Sequence, residues 1–208
     1  MQLRNPLANQ KTNKAYDEMY TSFLQDKFTD ANKKGQQILK DTPDHEKTLL
    51  LLGQIALQRK QRPRARERYN KVLEKRSGST EARLGRADAS FGKKTYESAL
   101  EDYLLLYESS WKNFPYMAKL AATYAALWLD KIALKYFQRA VEILPHDLPA
   151  RFSLVRHLLR LRHYKDADTH IKIAKDHYYQ HKKEYTEKTL EEIMSLETQI
   201  NKHLKHKV

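Results

Sequence analysis

Cysteine is absent from the 208-residue sequence, and glycine and proline are scarce. Without cysteine the chain forms no disulfide scaffold, thiolate zinc site, iron–sulfur centre or cysteine nucleophile. Its five glycines and six prolines are about half of the share that these residues have in average proteins. Sandwiches, barrels and propellers need many turns rich in glycine and proline, so the composition favours an all-α fold.

Long apolar runs are also missing. The longest nearly apolar stretch, Leu120–Leu129, has ten residues, whereas a helix needs about 20 to cross a bilayer. Residues 1–16 contain no apolar core of the kind found in secretory signals. These absences predict a cytoplasmic protein, or a periplasmic or membrane-associated one if a signal or an anchor has been removed.

Positive charge, in contrast, is in excess. The 39 lysines and arginines outnumber the 26 aspartates and glutamates, giving a formal net charge of +13, and 40% of the residues are hydrophobic. That hydrophobic share is sufficient for a folded core. The basic residues cluster in segments 59–76, 151–165 and 202–207, and such clusters can bind nucleic acid, acidic peptides or anionic lipid. No signature of a nucleic-acid-binding module accompanies them.

A regular repeat organises the chain. Alanine recurs every 34 residues, and four of the five residues that lie four positions after these alanines are large and apolar. The alanines are Ala31, Ala65, Ala99, Ala133 and Ala167, and the residues four positions later are Gly35, Tyr69, Tyr103, Phe137 and Ile171. Two upstream segments also match each other, namely Leu49-x₂-Leu52-Gly53-x₂-Ala56 and Met117-x₂-Leu120-Ala121-x₂-Tyr124.

This pattern resembles the tetratricopeptide repeat (TPR) family, whose signature is W-x₂-L-G-x₂-Y…A-x₃-F…P. The junction Leu144–Arg151 is similar to those of bacterial-type members. No repeat has tryptophan at the first signature position. The resemblance implies an all-α, right-handed superhelical solenoid with a concave groove. Its five helix-turn-helix repeats span residues 12–181 and begin near Thr12, Glu46, Thr80, Phe114 and Leu148.

The segments outside the repeats differ from each other in character. Residues 182–208 contain apolar residues at helical spacings of three and four, which predicts a C-terminal capping helix followed by a basic tail. These residues are Leu190, Ile193, Leu196, Ile200 and Leu204. Residues 1–11 are polar and contain Pro6, which predicts an unstructured N-terminal arm.

In the family that the chain resembles, fixed positions of each repeat's first helix line the concave groove. Carried onto this sequence, they predict a partner-binding surface that is mostly apolar. Its candidate residues are Tyr16, Tyr20, Phe23, Leu50, Gln54, Leu57, Leu84, Asp88, Phe91, Lys119, Ala122, Ala125, Phe152, Arg156, Leu159 and Arg160. We expect Lys119, Arg156 and Arg160 to hold acidic groups of the partner.

A bare apolar groove is costly on a monomer. We therefore expect a peptide or amphipathic helix of another protein to cover it. The N-terminal arm, or a second copy of the chain in a homo-oligomer, is an alternative occupant. A repeat frame that is wrong by one residue would instead make these side chains part of the core.

Motifs for catalysis and cofactors are not found. The sequence contains neither G-x-G-x-x-G nor a P-loop. His177 and His181 are spaced to chelate a metal on one helix face, but no third ligand accompanies them, and solvated surface histidines explain the pair better. The sequence therefore predicts no catalytic residue, no metal and no cofactor. It predicts instead a protein–protein scaffold, adaptor or assembly chaperone. The alternative is a basic solenoid that binds RNA or an anionic membrane surface.

Overall fold

A computed structural model describes residues 6–109 and 114–205 of the chain. Within these ranges the regular secondary structure is entirely helical. The prediction of an all-α repeat fold is confirmed.

Ten of the helices form five hairpins. The first helices of the hairpins are α1 (Pro6–Leu24), α3 (Glu46–Gln58), α5 (Thr80–Gly92), α7 (Phe114–Ala126) and α9 (Leu148–Arg160). The second helices are α2 (Phe28–Asp41), α4 (Arg62–Lys75), α6 (Tyr96–Ser109), α8 (Asp130–Ile143) and α10 (Tyr164–Gln180). From α3 onward, successive first helices start 34 residues apart. Successive second helices start 34 residues apart from α2 onward. A 3₁₀ turn (Lys182–Glu184) and α11 (Glu187–Leu204) follow.

Each hairpin turn has the same backbone geometry. Its central residue lies in the left-handed region although none of the five is glycine, with φ between 56° and 65°. The next residue donates its amide hydrogen to the carbonyl five positions earlier, as Gln61 does to Ala56 at 2.8 Å. This bond satisfies a carbonyl that the end of the first helix leaves without a partner. The five residues are Asp26, Lys60, Lys94, Trp128 and Arg162.

The helices form two compact units, residues 1–106 and residues 107–208. In the N-terminal unit the repeated alanines Ala31, Ala65 and Ala99 have no exposed surface, so the paired helices approach closely. The ring of Tyr69, which lies on α4, fills the space between α3 and α5. It lies against Gly53 of α3 and Gly85 of α5, where a Cβ atom would stand only 2.6 Å and 2.2 Å from the ring carbons.

The C-terminal unit has one continuous core, to which α11 contributes. Ile193, Leu196 and Ile200 of α11 are buried in the same cluster as Phe137 and Phe152. The helix packs on both α9 and α10. The predicted capping helix is therefore present, but it begins later than expected. Its start is displaced because α10 runs for 17 residues instead of 14 and the 3₁₀ turn follows it.

The other end of the chain also differs from the sequence prediction. Residues 6–11 were expected in an unstructured arm, but they form the first turns of α1. Proline is well suited to a first helical position, because the amide hydrogen that it lacks would have no partner there. Residues 1–5 of the arm and residues 206–208 of the basic tail lie outside the described residues.

Candidate functional site

An aromatic row runs along α1 in the N-terminal unit. It consists of Tyr16, Tyr20 and Phe23, whose spacing of four and three residues places them on one helix face. The ring centroids of successive members are 6.2 Å apart and the rings are stacked. Tyr20 is 43% exposed, while Tyr16 and Phe23 are half-buried. The row therefore presents a preformed aromatic surface.

Helix α3 contributes three candidate residues to the predicted surface, of which one is exposed. Gln54 is exposed and Leu57 is half-buried. Leu50 is a correction to the sequence prediction, because it is only 9% exposed and belongs to a core cluster that includes Ala82 of α5. It packs between successive first helices and offers little surface to a partner.

The candidate residues of α5 are all half-buried. They are Leu84, Asp88 and Phe91. Phe91 packs edge-to-face on Tyr96 with ring centroids 5.4 Å apart. Asp88 accepts a hydrogen bond from the Tyr103 hydroxyl at 2.5 Å, and burial together with this carboxylate raises the pKa of Tyr103. The second helix of the hairpin thus fixes the position of Asp88.

In the C-terminal unit the small residues Ala122 and Ala125 of α7 pack at the edge of the core. Lys119 and Leu159 are half-buried. Phe152 of α9 is 3% exposed, and with Tyr185 and Thr189 it lines the space between α9 and α11. Like Leu50, Phe152 is a core residue rather than an open groove position.

The two arginines expected to hold a partner's acidic groups bind groups of this chain instead. Arg156 forms an ion pair with Glu192 of α11. Arg160 forms one with Asp130, donates to the Ala125 carbonyl at 3.0 Å and lies 5.5 Å from the ring centroid of Trp128. Repeat spacing alone could not reveal either carboxylate partner.

An ion-pair cluster between α5 and α6 was not anticipated from the sequence. The Asp102 carboxylate is almost fully buried and accepts hydrogen bonds from Arg86 at 2.7 and 2.8 Å and from Arg83 at 3.4 Å. The bond to Asp102 raises the pKa of Arg86. No signal in the sequence separates Asp102 from the solvated acids that surround it.

The two histidines with metal-ligand spacing, His177 and His181, pack against each other with tilted rings, and His177 stacks on His146. The His177 ring lies 4.3 Å from that of His181 and 4.9 Å from that of His146. Burial, followed by the two neighbouring imidazoles, lowers the pKa of His177. Among the residues that the structure describes, no three His, Cys, Asp or Glu side chains converge as a metal site would require. Nor do these residues include a helix that combines the length and the apolarity needed to cross a bilayer.

Comparison with known sequences identifies the repeat. Residues 50–117 match the model of a family described as tetratricopeptide repeat. A search of curated protein sequences gives no match.

Solved structures share the fold. MamA (residues 41 to the end) from Desulfovibrio magneticus RS-1 superposes with a TM-score of 0.76 at 15% identity, over 82% of this chain and 97% of that chain. Another MamA protein gives 0.72 at 19% identity, over 84% and 96%. A tetratricopeptide repeat protein from Parabacteroides merdae ATCC 43184 gives 0.66 at 16% identity, over 88% and 70%.

Proposed function

Because residues 50–117 match the tetratricopeptide repeat model and solved repeat structures share the fold, we propose that the chain is a non-catalytic scaffold that binds a segment of another protein. The binding surface is the first-helix face of the N-terminal unit, formed by α1, α3 and α5. The partner segment is a peptide or an amphipathic helix, and the protein acts as an adaptor or an assembly chaperone. The stacked aromatic row, with its 43% exposed Tyr20, carries this proposal.

The aromatic row has the properties of a binding anchor. Aromatic rings bury a large area on contact and lose little conformational entropy, which is why they are enriched among the residues that dominate interfaces. Neighbouring contacts already restrain Tyr16, since His45 packs against the edge of its ring and the Lys47 ammonium lies 5.9 Å from its centroid. A partner therefore meets a surface whose side chains are ordered before binding.

The remaining candidate positions extend the surface with mixed chemistry. Leu57, Leu84 and Phe91 contribute half-buried apolar area, and Gln54 is an exposed polar group beside them. An amphipathic segment matches such a face, because its apolar residues cover the leucines while its polar residues bond to the amide.

The side-chain contacts of α9 favour the N-terminal unit over the C-terminal unit as the binding surface. There Phe152 is buried and Arg156 pairs with Glu192, so α11 already engages two of the candidate positions. Exposed Tyr20 and Gln54 on α1 and α3 have no such cover within the described part of the N-terminal unit.

Site-specific photo-crosslinking tests the proposal. A photoreactive phenylalanine analogue replaces Gln54 in the full chain, which is then irradiated in a nuclease-treated lysate of the source cells. We expect a discrete protein adduct that still forms when irradiation is carried out in about 0.5 M salt, because apolar contacts are not screened as surface charge pairs are. The adduct should disappear with Tyr20→Glu and persist with Tyr20→Phe, which keeps the ring.

The control places the same probe at Glu74, an exposed residue of the second helix α4. Identical adducts at Gln54 and Glu74, or adducts insensitive to Tyr20→Glu, would contradict the proposed surface. An adduct of the chain with itself would identify a second copy as the occupant and contradict binding of another protein.

A further inference from the structure

We propose that a cavity between α2 and α4 is a binding site for a phosphate group. The cavity has a volume of about 310 Å³ and lies on the second-helix side of the N-terminal unit, away from the aromatic row. Buried Leu52 and Ile55 of α3 form its floor. Its polar walls consist of Asn32, Gln36, Arg59, Gln61, Arg64 and Arg68. We refer to it as the arginine cavity.

Three guanidinium groups border this one space. Arg64 and Arg68 are one helical turn apart on α4 and so share a face, and Arg59 enters from the end of α3. None of the residues that line the cavity carries a carboxylate. Three like charges around one cavity repel each other, and an anion placed among them relieves that repulsion.

Carboxylates elsewhere do not neutralise the three arginines. Among the described residues, Arg59 and Arg68 form no ion pair or side-chain hydrogen bond, and Arg64 makes only a long bond of 3.4 Å to Gln61. Two acidic residues on the helices that flank the cavity pair with other basic residues. Glu67 of α4 pairs with Lys71 at 3.4 Å, and Asp30 of α2 pairs with Lys34 at 2.9 Å.

The start of α4 adds to the positive potential. Its N-cap residue, Gln61, provides no side-chain cap, and the first turn contains no acidic residue. The partial positive charge of the helix N-terminus is therefore not offset from within the helix. The side-chain amides of Asn32, Gln36 and Gln61 provide further hydrogen-bond donors at the cavity wall.

The chemistry of the walls selects the ligand. A guanidinium group offers parallel N–H donors that match two oxygens of a phosphate. The cavity is near the lower limit of about 300 Å³ for ligand pockets, which suits a compact phosphate monoester. The ester is either a free small molecule or a phosphorylated side chain of a protein.

Titration of the ¹⁵N-labelled full chain with inorganic phosphate, followed by NMR, tests the site. We expect the largest shifts at the backbone amides of residues 59–68 and at the arginine Nε–H groups, and no such pattern with sodium chloride at equal ionic strength. Replacing both Arg64→Gln and Arg68→Gln should raise the dissociation constant about tenfold or more, since each removes charge-assisted hydrogen bonds. Arg64→Lys with Arg68→Lys should weaken phosphate binding less, because both positive charges remain and only the paired N–H donors of the guanidinium groups are lost.

Lys93→Gln with Lys94→Gln is the matched control, since it removes two charges from an exposed turn of the same unit. Phosphate binding should be unchanged in this variant. Equal weakening by the two charge-removing double variants, or equal shifts with sodium chloride, would overturn the proposal. O-phosphoserine and a peptide that contains it should both bind. A peptide that binds more tightly identifies a phosphorylated protein as the source, and equal affinity identifies a free ester.

Discussion

Arg86 of α5 and Asp102 of α6 form a bidentate ion pair in the interior of a helical hairpin. Arg86 donates from Nε to Oδ2 at 2.8 Å and from Nη2 to Oδ1 at 2.7 Å, and Asp102 is only 3% exposed. Both oxygens of the carboxylate are thus satisfied, and the planar guanidinium fixes the rotation of one helix relative to the other.

Removal of this carboxylate should be strongly destabilising. Asp102→Ala leaves two arginines without their buried counter-charge, and we expect the free energy of unfolding to fall by about 3 kcal/mol. Urea denaturation followed by circular dichroism measures the change. Glu101→Ala, at the exposed neighbouring position, should shift stability by less than about 0.5 kcal/mol. Equal effects of the two substitutions would show that the buried pair contributes nothing particular.

The contact of Tyr69 with Gly85 predicts that the effect of Gly85→Ala on the free energy of unfolding changes sign when Tyr69 is also replaced. Gly85→Ala puts a methyl group where a Cβ atom would lie 2.2 Å from the Tyr69 ring, so we expect a loss of about 1–3 kcal/mol through overpacking. In a Tyr69→Leu background the same substitution should be neutral or stabilising by up to about 1 kcal/mol, because alanine favours helix over glycine. Chemical denaturation of the four proteins tests this, and additive effects would contradict it.

Buried histidines should make the protein less stable in mild acid. Burial, as the largest cause, and the neighbouring Arg160 lower the pKa of His157 below its ordinary value of 6.5. The unfolded chain therefore takes up a proton at a higher pH than the folded chain does. The contribution of neutral His157 to the free energy of unfolding is fully present above about pH 6.5. It falls as the pH decreases, by at most about 1.4 kcal/mol per pH unit for one histidine.

Urea midpoints measured between about pH 7.5 and pH 5 check this dependence. His157→Gln should flatten the curve although it lowers stability at neutral pH. His163→Gln is a suitable control, because His163 is exposed. A curve that keeps its slope in His157→Gln would contradict the assignment. His170 and His177 also have lowered pKa values, so some slope should remain.

Helix α11 should be an integral part of the C-terminal unit. Ile193 has no exposed surface and lies in the core cluster that includes α9 and α10 residues, so Ile193→Ala should cost about 2–5 kcal/mol. Met194→Ala is the adjacent control, since Met194 is 56% exposed. Hydrogen exchange of the α9 and α10 amides should accelerate in Ile193→Ala alone. Unchanged exchange there would mean that α11 is only loosely attached.

The repeat spacing made most of the fold predictable. A residue that recurs every 34 positions must occupy the same place in each hairpin, and Ala31, Ala65 and Ala99 do lie at fully buried helix contacts. Spacing says less about which side of a helix meets its successor. For this reason the repeat spacing predicts Leu50 and Phe152 in the groove, whereas in the structure they pack in the core clusters.

Interactions that do not repeat were beyond prediction. The pairing of Arg156 with Glu192 depends on the longer α10 and the 3₁₀ turn after it, which shift α11 out of the 34-residue phase. The arginine cavity depends on which side chains lack a carboxylate partner. That is a property of packing in three dimensions rather than of local sequence.

The left-handed hairpin turns make this protein easy to stabilise without altering either face of the helices. A residue that carries a Cβ atom needs about 1 kcal/mol or more to adopt a positive φ, and the chain adopts one at each of the five hairpin turns, with φ between 56° and 65°. Asp26, Lys60, Lys94 and Arg162 can each become glycine, whereas Trp128 is retained for its contact with Arg160. We expect such a quadruple variant to unfold at a higher temperature than the parent chain, while the residues of the aromatic row and the arginines that line the cavity are unchanged.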